Sequence, residues 1–186
     1  ATGALTSISA SLNTAATNYR WVTIQDVCYF TNGLDVPKKY NGTTLSDVGG
    51  TPGVSIDLVS HKDRLWLLNN DGKVVYSDPA AYETFGVTSF VYAFPPKSAD
   101  QAFRITVFQD NVVGWSKNDK AVISGSDISN IVNRQSTASH GVVGPDALVK
   151  YGNYVYFIGK DDIYSFNGGS DQGMGIKIDR ILENVA

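Results

Sequence analysis

The chain has 186 residues, of which 42% are hydrophobic and 18% charged, with a formal net charge of −3. That length and apolar content suit one domain with a real core and exclude a disordered tail, while the weak negative charge removes the clustered Lys and Arg on which direct phosphate-backbone binding depends. The single cysteine, Cys28, excludes an internal disulfide and a cysteine-built zinc site, and no apolar run approaches the ~20 residues of a membrane-spanning helix.

Residues 1–20 are rich in Ala, Ser and Thr, carry no charge before Arg20, and lack the basic start and apolar centre of an export signal. Trp21 to Phe30 reads as two β segments in close succession, followed by a turn at Thr31-Asn32-Gly33. Within it, Cys28 alternates with Val27 and Tyr29 and reads as a buried structural thiol. Pro37 to Tyr40 leads into the hairpin-type turn Asn41-Gly42. Ile56, Leu58 and Ser60 alternate along the next strand, His61-Lys62-Asp63 turns, Leu65 to Leu68 returns, and Asn69-Asn70-Asp71-Gly72 leads into Val74 to Ser77. After Asp78, the stretch Pro79 to Phe85 predicts one helical turn, with Asp78 as its cap and Pro79 in the first helical position. Strands follow at Phe103 to Phe108, Val112 to Trp115 and Ala121 to Ser124, and again at Ala147 to Lys150, Val155 to Ile158 and Ile163 to Phe166. Near the end, Ile178, Ile181, Leu182 and Val185 fall at i, i+3, i+4 and i+7, which predicts a short amphipathic helix that must dock on something to be stable.

One pattern recurs four times in this series: Asp26-Val27-Cys28-Tyr29-Phe30, Asp63-Arg64-Leu65-Trp66-Leu67-Leu68, Asp110-Asn111-Val112-Val113-Gly114-Trp115 and Asn153-Tyr154-Val155-Tyr156-Phe157-Ile158. Aligned on the leading Asp or Asn, the copies are 37, 47 and 43 residues apart. Their mean, about 42, matches the roughly 40 to 50 residues of a propeller blade of four short strands, and not helical repeats of about 33 or 34. The uninterrupted apolar runs predict central strands buried on both faces, as stacked blades require. The expected fold is all-β: a β-propeller-like array of about four antiparallel blades over residues 21–175, as a closed or an incomplete ring. Residues 1–20 form an N-terminal arm or the remnant of a preceding blade, and residues 176–186 the short C-terminal helix.

Catalytic chemistry needs convergent groups, and the supply is poor. His61 beside Lys62-Asp63 reads as a solvated turn side chain; His140 lies in the polar loop Ser136 to Gly141 and is the better candidate for a contact. No G-x-S-x-G elbow, P-loop or H-E-x-x-H pattern is present, so the chain reads as no enzyme and implies no cofactor. The Asp-rich turns at 69–72, 124–127 and 161–162 lack the D-x-D-x-D-G spacing of a calcium loop and read as turn chemistry. Aromatics offer a better lead: Tyr82, Phe85, Phe90, Tyr92 and Phe94 crowd the connection after the second repeat, ahead of Pro95-Pro96, and aromatics concentrate at interface hot spots. Tyr82, Phe85, Tyr92, Phe94 and His140, with Ile181 and Leu182 of the C-terminal helix, are the candidate partner contacts. A rival reading, a carbohydrate-binding propeller or glycan-active enzyme, would use Trp66 or Trp115 as an exposed sugar-stacking surface.

The segment Tyr29 to Gly42 with its Thr31-Asn32-Gly33, then His61-Lys62-Asp63-Arg64-Leu65 with Tyr76-Ser77-Asp78-Pro79, then Gly141 to Gly144 with Tyr154 to Gly169, resembles propeller-like virion proteins of tailed bacteriophages. The resemblance covers about residues 21–182. It implies a structural component of a tail, neck or nozzle assembly that forms symmetric rings around the DNA exit path. Its partners would be copies of itself and other virion proteins, its location the virion after assembly in the host cytoplasm, and it brings no catalytic residues.

Overall fold

The computed structural model describes residues 12–95, 100, 102–135 and 140–175, and every regular element among them is a β-strand. The strands fall into four antiparallel sheets of four, each a meander in chain order. Sheet I holds β1 (Arg20–Ile24), β2 (Val27–Thr31), β3 (Lys38–Tyr40) and β4 (Leu45–Asp47). Sheet II holds β5 (Ser55–His61), β6 (Arg64–Asn69), β7 (Lys73–Tyr76) and β8 (Phe90–Tyr92). Sheet III holds β9 (Ala102–Phe108), β10 (Asn111–Ser116), β11 (Lys120–Ser124) and β12 (Val132–Gln135). Sheet IV holds β13 (Leu148–Tyr151), β14 (Tyr154–Ile158), β15 (Ile163–Phe166) and β16 (Asp171–Gly173).

The repeated Asp has a backbone cause. It is the second residue of the two-residue turn between the first and second strands of sheets I to III, where both turn residues have positive φ: Gln25 and Asp26 at 49° and 63°, Lys62 and Asp63 at 49° and 53°, Gln109 and Asp110 at 45° and 63°. Two left-handed residues in a row make a type I′ turn, whose twist matches that of the flanking strands, and Asp and Asn tolerate that region better than most side chains. In sheet IV the same hairpin turns through Gly152 at 58°.

Counting from this turn residue shows how the sheets stack. Residues two and four places after it face the preceding sheet: Leu65 and Leu67 pack with Ile24 and Tyr29, Val112 with Trp66, and Val155 and Phe157 with Trp115. Those three and five places after it face the following sheet: Trp66 and Leu68 pack with Ile105, and Val113 and Trp115 with Phe166. The first strands obey the complementary rule, so that Leu58, Ile105 and Leu148, five places before the turn residue, all look back to the sheet before them. Among the described residues three hydrophobic cores result, between I and II, II and III, and III and IV. The middle sheets are therefore buried on both faces, the physical basis of their uninterrupted apolar runs.

Two expectations change. Pro79 to Phe85 is not a helical turn but a pair of successive turns, with Ala81 N–H donating to Asp78 O at 3.2 Å and Thr84 N–H to Ala81 O at 2.9 Å. Ala80 sits at φ 55°, a left-handed residue that a right-handed helix excludes. Cys28 is half-buried rather than buried, because among the described residues no sheet covers its side of sheet I. The C-terminal helix, with Ile181 and Leu182, lies outside the described residues.

Candidate functional site

Several chemically capable side chains join one sheet to the next. At the start of β5, Asp57 is buried and accepts from the backbone N–H of Ile105 at 2.9 Å while Arg104 Nε approaches at 3.4 Å, tying sheet II to sheet III. Burial raises its carboxyl above the ordinary value in spite of these donors. Arg20, Asp57 and Arg104 occupy the same register in their first strands, six places before the turn residue. Arg20 also reaches the Asp146 carboxylate at 2.5 Å, in the connection ahead of β13. His61 is not a solvated turn residue. Its Nε2 lies 3.0 Å from Asp110 O at the junction of sheets II and III, and burial lowers its pKa.

A buried polar cluster joins sheets III and IV. Lys120 on β11 is fully buried, with its Nζ donating to Asp171 Oδ2 of β16 at 2.6 Å and to the carbonyl of His140. The ammonium is also boxed by the rings of Phe157, Phe166 and Trp115, at 4.7, 5.5 and 5.6 Å from their centroids. Burial pulls the Lys120 pKa down, against the opposing pull of Asp171. His140 stacks on Tyr164 with ring centroids 4.1 Å apart and turns Nδ1 toward Asp171 at 3.2 Å. Tyr164 in turn donates to Asp161 at 2.8 Å, and its hydroxyl is pushed up to about 12 by burial and by the surrounding Asp161, Asp162 and Asp171 carboxylates. The arrangement is a clamp. Lys120 and Asp171 neutralise each other through Oδ2, Asp171 Oδ1 is buried without a hydrogen-bond partner, and His140 is the half-exposed lid.

The candidate aromatics separate into different environments. Phe94 is buried in the core between sheets II and III, beneath Gly114, where an added Cβ would meet its ring at 3.4 Å. Tyr82 is half-buried against Tyr29 with centroids 6.3 Å apart, in the core between I and II, and Phe85 packs on the same core. Phe90 and Tyr92 belong to the edge strand β8, in edge-to-face contact at 5.6 Å under the ammonium of Lys73. Phe85 and Phe90 line a cleft of about 320 Å³ whose opposite wall is the Gly50 to Gly53 connection between sheets I and II. Gly50, at φ 72°, is required there, since a Cβ would come within 2.9 Å of the Phe85 ring. Trp66 and Trp115 are 1% and 0% exposed, so neither can stack on a sugar. Their indole N–H groups donate inward, to His61 O at 3.0 Å and Thr106 Oγ1 at 2.8 Å. The Asp-rich turns hold their own backbone: Asp71 accepts from Lys73 N–H, Asp127 from Ser129 N–H, and Asp162 from Ile163 N–H.

The signal missed in the sequence lies at the two ends of the array. Sheet IV presents an apolar face on the side away from sheet III, with Val149 60% and Tyr151 77% exposed and Tyr154 and Ile158 also exposed. A shallow apolar depression of about 260 Å³ runs along it, lined by Leu148, Val149, Tyr156, Phe157, Ile158 and Ile163 among others. On the far side of sheet I, Trp21 is 68% exposed. Counting from the turn residue would have found both faces.

No protein-family model matches the chain, and no curated protein sequence is significantly similar to it. Among solved structures it is similar to the extracellular domain of a hybrid two-component system protein of B. thetaiotaomicron, with a TM-score of 0.57 at 10% identity over 83% of this chain. The chain spans about a fifth, 21%, of the length of that protein. It is also similar to two computationally designed proteins: Ika4, with a TM-score of 0.57 at 14% identity over 87% of this chain and 98% of Ika4, and Ika8, with 0.54 at 14% over 86% of this chain and 47% of Ika8. Identities this low speak to fold alone.

Proposed function

We propose that the chain is a rigid, propeller-like β scaffold in which each four-stranded sheet is one blade, and that it serves as a structural component of a bacteriophage tail or neck assembly around the DNA exit path. The observation that carries the scaffold reading is the use made of its charged and aromatic groups. Asp57, His61, Lys120, Asp171, Trp66 and Trp115 each join one sheet to the next, which makes the array stiff and leaves loops and end faces for subunit contacts. Most affinity for neighbours then comes from apolar and aromatic area with polar rims, since a net charge of −3 gives little long-range steering. The phage setting rests on the resemblance of the turn motifs.

The carbohydrate-binding alternative loses Trp66 and Trp115 to the cores; what remains to it is the cleft beside Phe85 and Phe90. A glycan array with the purified chain, run beside negative-stain electron microscopy, separates the two. The scaffold reading expects ordered assemblies and no glycan signal. Saturable binding of one sugar, abolished by Phe90→Ala, would sink it.

A further inference from the structure

We propose that the two end faces of the array are the halves of one interface, so that sheet IV of one copy packs on sheet I of a second copy, head to tail. This deepens the scaffold reading by naming the first partner, and it stands on the register of the repeats.

Each internal interface is built by the same rule. Residues three and five places after the turn residue, with those two and four places before it, face the following sheet. Residues two and four places after it, with the one five places before it, face the preceding sheet. In sheet IV the first set is Tyr156, Ile158, Tyr151 and Val149, and among the described residues no hydrophobic core cluster covers it. In sheet I the second set is Cys28, Phe30 and Trp21, and among the described residues no sheet covers it either. Trp21 is thus the counterpart of Leu58, Ile105 and Leu148, all of which pack on a preceding sheet. The sequence of β14, Tyr154-Val155-Tyr156-Phe157-Ile158, is as apolar as that of the doubly buried β6, yet only Val155 and Phe157 are buried. A strand apolar on both faces is the mark of a strand covered on both.

The chain's own sheet I is not the cover. Arg20 and Asp146 already bring the two end sheets together within one chain, and with that contact made Trp21 and Tyr151 remain 68% and 77% exposed. The Asp146 carboxylate is itself 66% exposed, and an exposed ion pair is weak and screened by salt, so it does not hold a ring shut. A second copy supplies the missing face in the right register. Because the two patches differ, the interface is heterologous and propagates into a closed ring or a longer array.

The test is the solution mass of the intact chain by light scattering, for the wild type, Trp21→Lys and Tyr151→Lys, with circular dichroism to show that each variant stays folded. Both positions are exposed, so the fold is expected to tolerate them. The wild type should assemble beyond the 20.1 kDa of one chain. Each variant alone should be monomeric at concentrations at least tenfold above the wild-type midpoint, since one lacks every head and the other every tail. Mixed in equal amounts, they should form a dimer and nothing larger, because each retains the half the other has lost. A wild type that stays monomeric, a substitution that leaves the mass unchanged, or a mixture that stays monomeric overturns the proposal. A wild type that assembles but whose mass neither substitution changes overturns this interface and leaves the scaffold reading standing, whereas saturable sugar binding overturns the scaffold reading and leaves the mass untouched, so the two failures are told apart.

Discussion

The clamp between sheets III and IV gives the sharpest energetic test. Replacing Lys120 by Met keeps the length of the stem against Trp115, Phe157 and Phe166 but deletes the ammonium. Asp171, 2% exposed, is then left with Oδ1 unpartnered in the structure and Oδ2 held only by His140 at 3.2 Å. An uncompensated buried charge of this kind costs about 3 to 5 kcal/mol. That is a large fraction of the roughly 5 to 15 kcal/mol that stabilises a typical domain. Asp171→Leu should cost less, about 2 to 4 kcal/mol, because the stranded ammonium keeps the His140 carbonyl and three aromatic faces, each worth about 0.5 to 2 kcal/mol. The double variant Lys120→Met/Asp171→Leu should lie within about 1 kcal/mol of wild type, since an apolar pair of similar volume avoids both desolvation penalties. Urea unfolding followed by tryptophan fluorescence measures all three, with Trp115 reporting from the interface itself. A Lys120→Met loss below about 1 kcal/mol, or a double variant as unstable as the sum of the singles, would refute the coupling.

Two further outcomes follow from backbone and burial. Replacing Gln25-Asp26 by Asn-Gly places the preferred type I′ pair where φ is 49° and 63°, and should stabilise by about 0.5 to 1 kcal/mol, raising Tm by a few degrees in a thermal scan. His61 supplies a pH test. Burial holds it below the ordinary 6.5, so above that pH it is neutral whether the chain is folded or not. As pH falls below 6.5 the unfolded chain takes up the proton first, and stability drains away until the folded-state value is passed. His61→Gln should therefore show a shallower loss of unfolding free energy than wild type between pH 7 and pH 5, and identical slopes would contradict a lowered folded-state pKa.

The hairpins were readable because their information is local. The paired left-handed residues at 25–26, 62–63 and 109–110 need particular side chains, and the apolar runs after them need a two-sided core, so both print themselves in the sequence. The outermost strands β4, β8, β12 and β16 did not. They are three or four residues long, pair on one side only, and carry sequences such as Leu45-Ser46-Asp47 and Asp171-Gln172-Gly173 that tertiary position alone makes extended. The aromatic run from Tyr82 to Phe94 shows the same limit. Its residues look alike in sequence, yet Phe94 is core, Tyr82 is wedged between sheets and Tyr92 is on an edge, because a few loop residues decide which side of a sheet each ring meets.

By itself the sequence determined the fourfold unit, its antiparallel β character and the hairpin at the heart of each copy, since turn chemistry and hydrophobic period act over a few residues. Only the tertiary structure decided where His140, His61 and Trp115 sit, because they gain their partners 31, 49 and 9 residues away, across or within sheets. It also decided that two apolar faces stay uncovered, for a strand records how many faces it wants buried and not what stands opposite them.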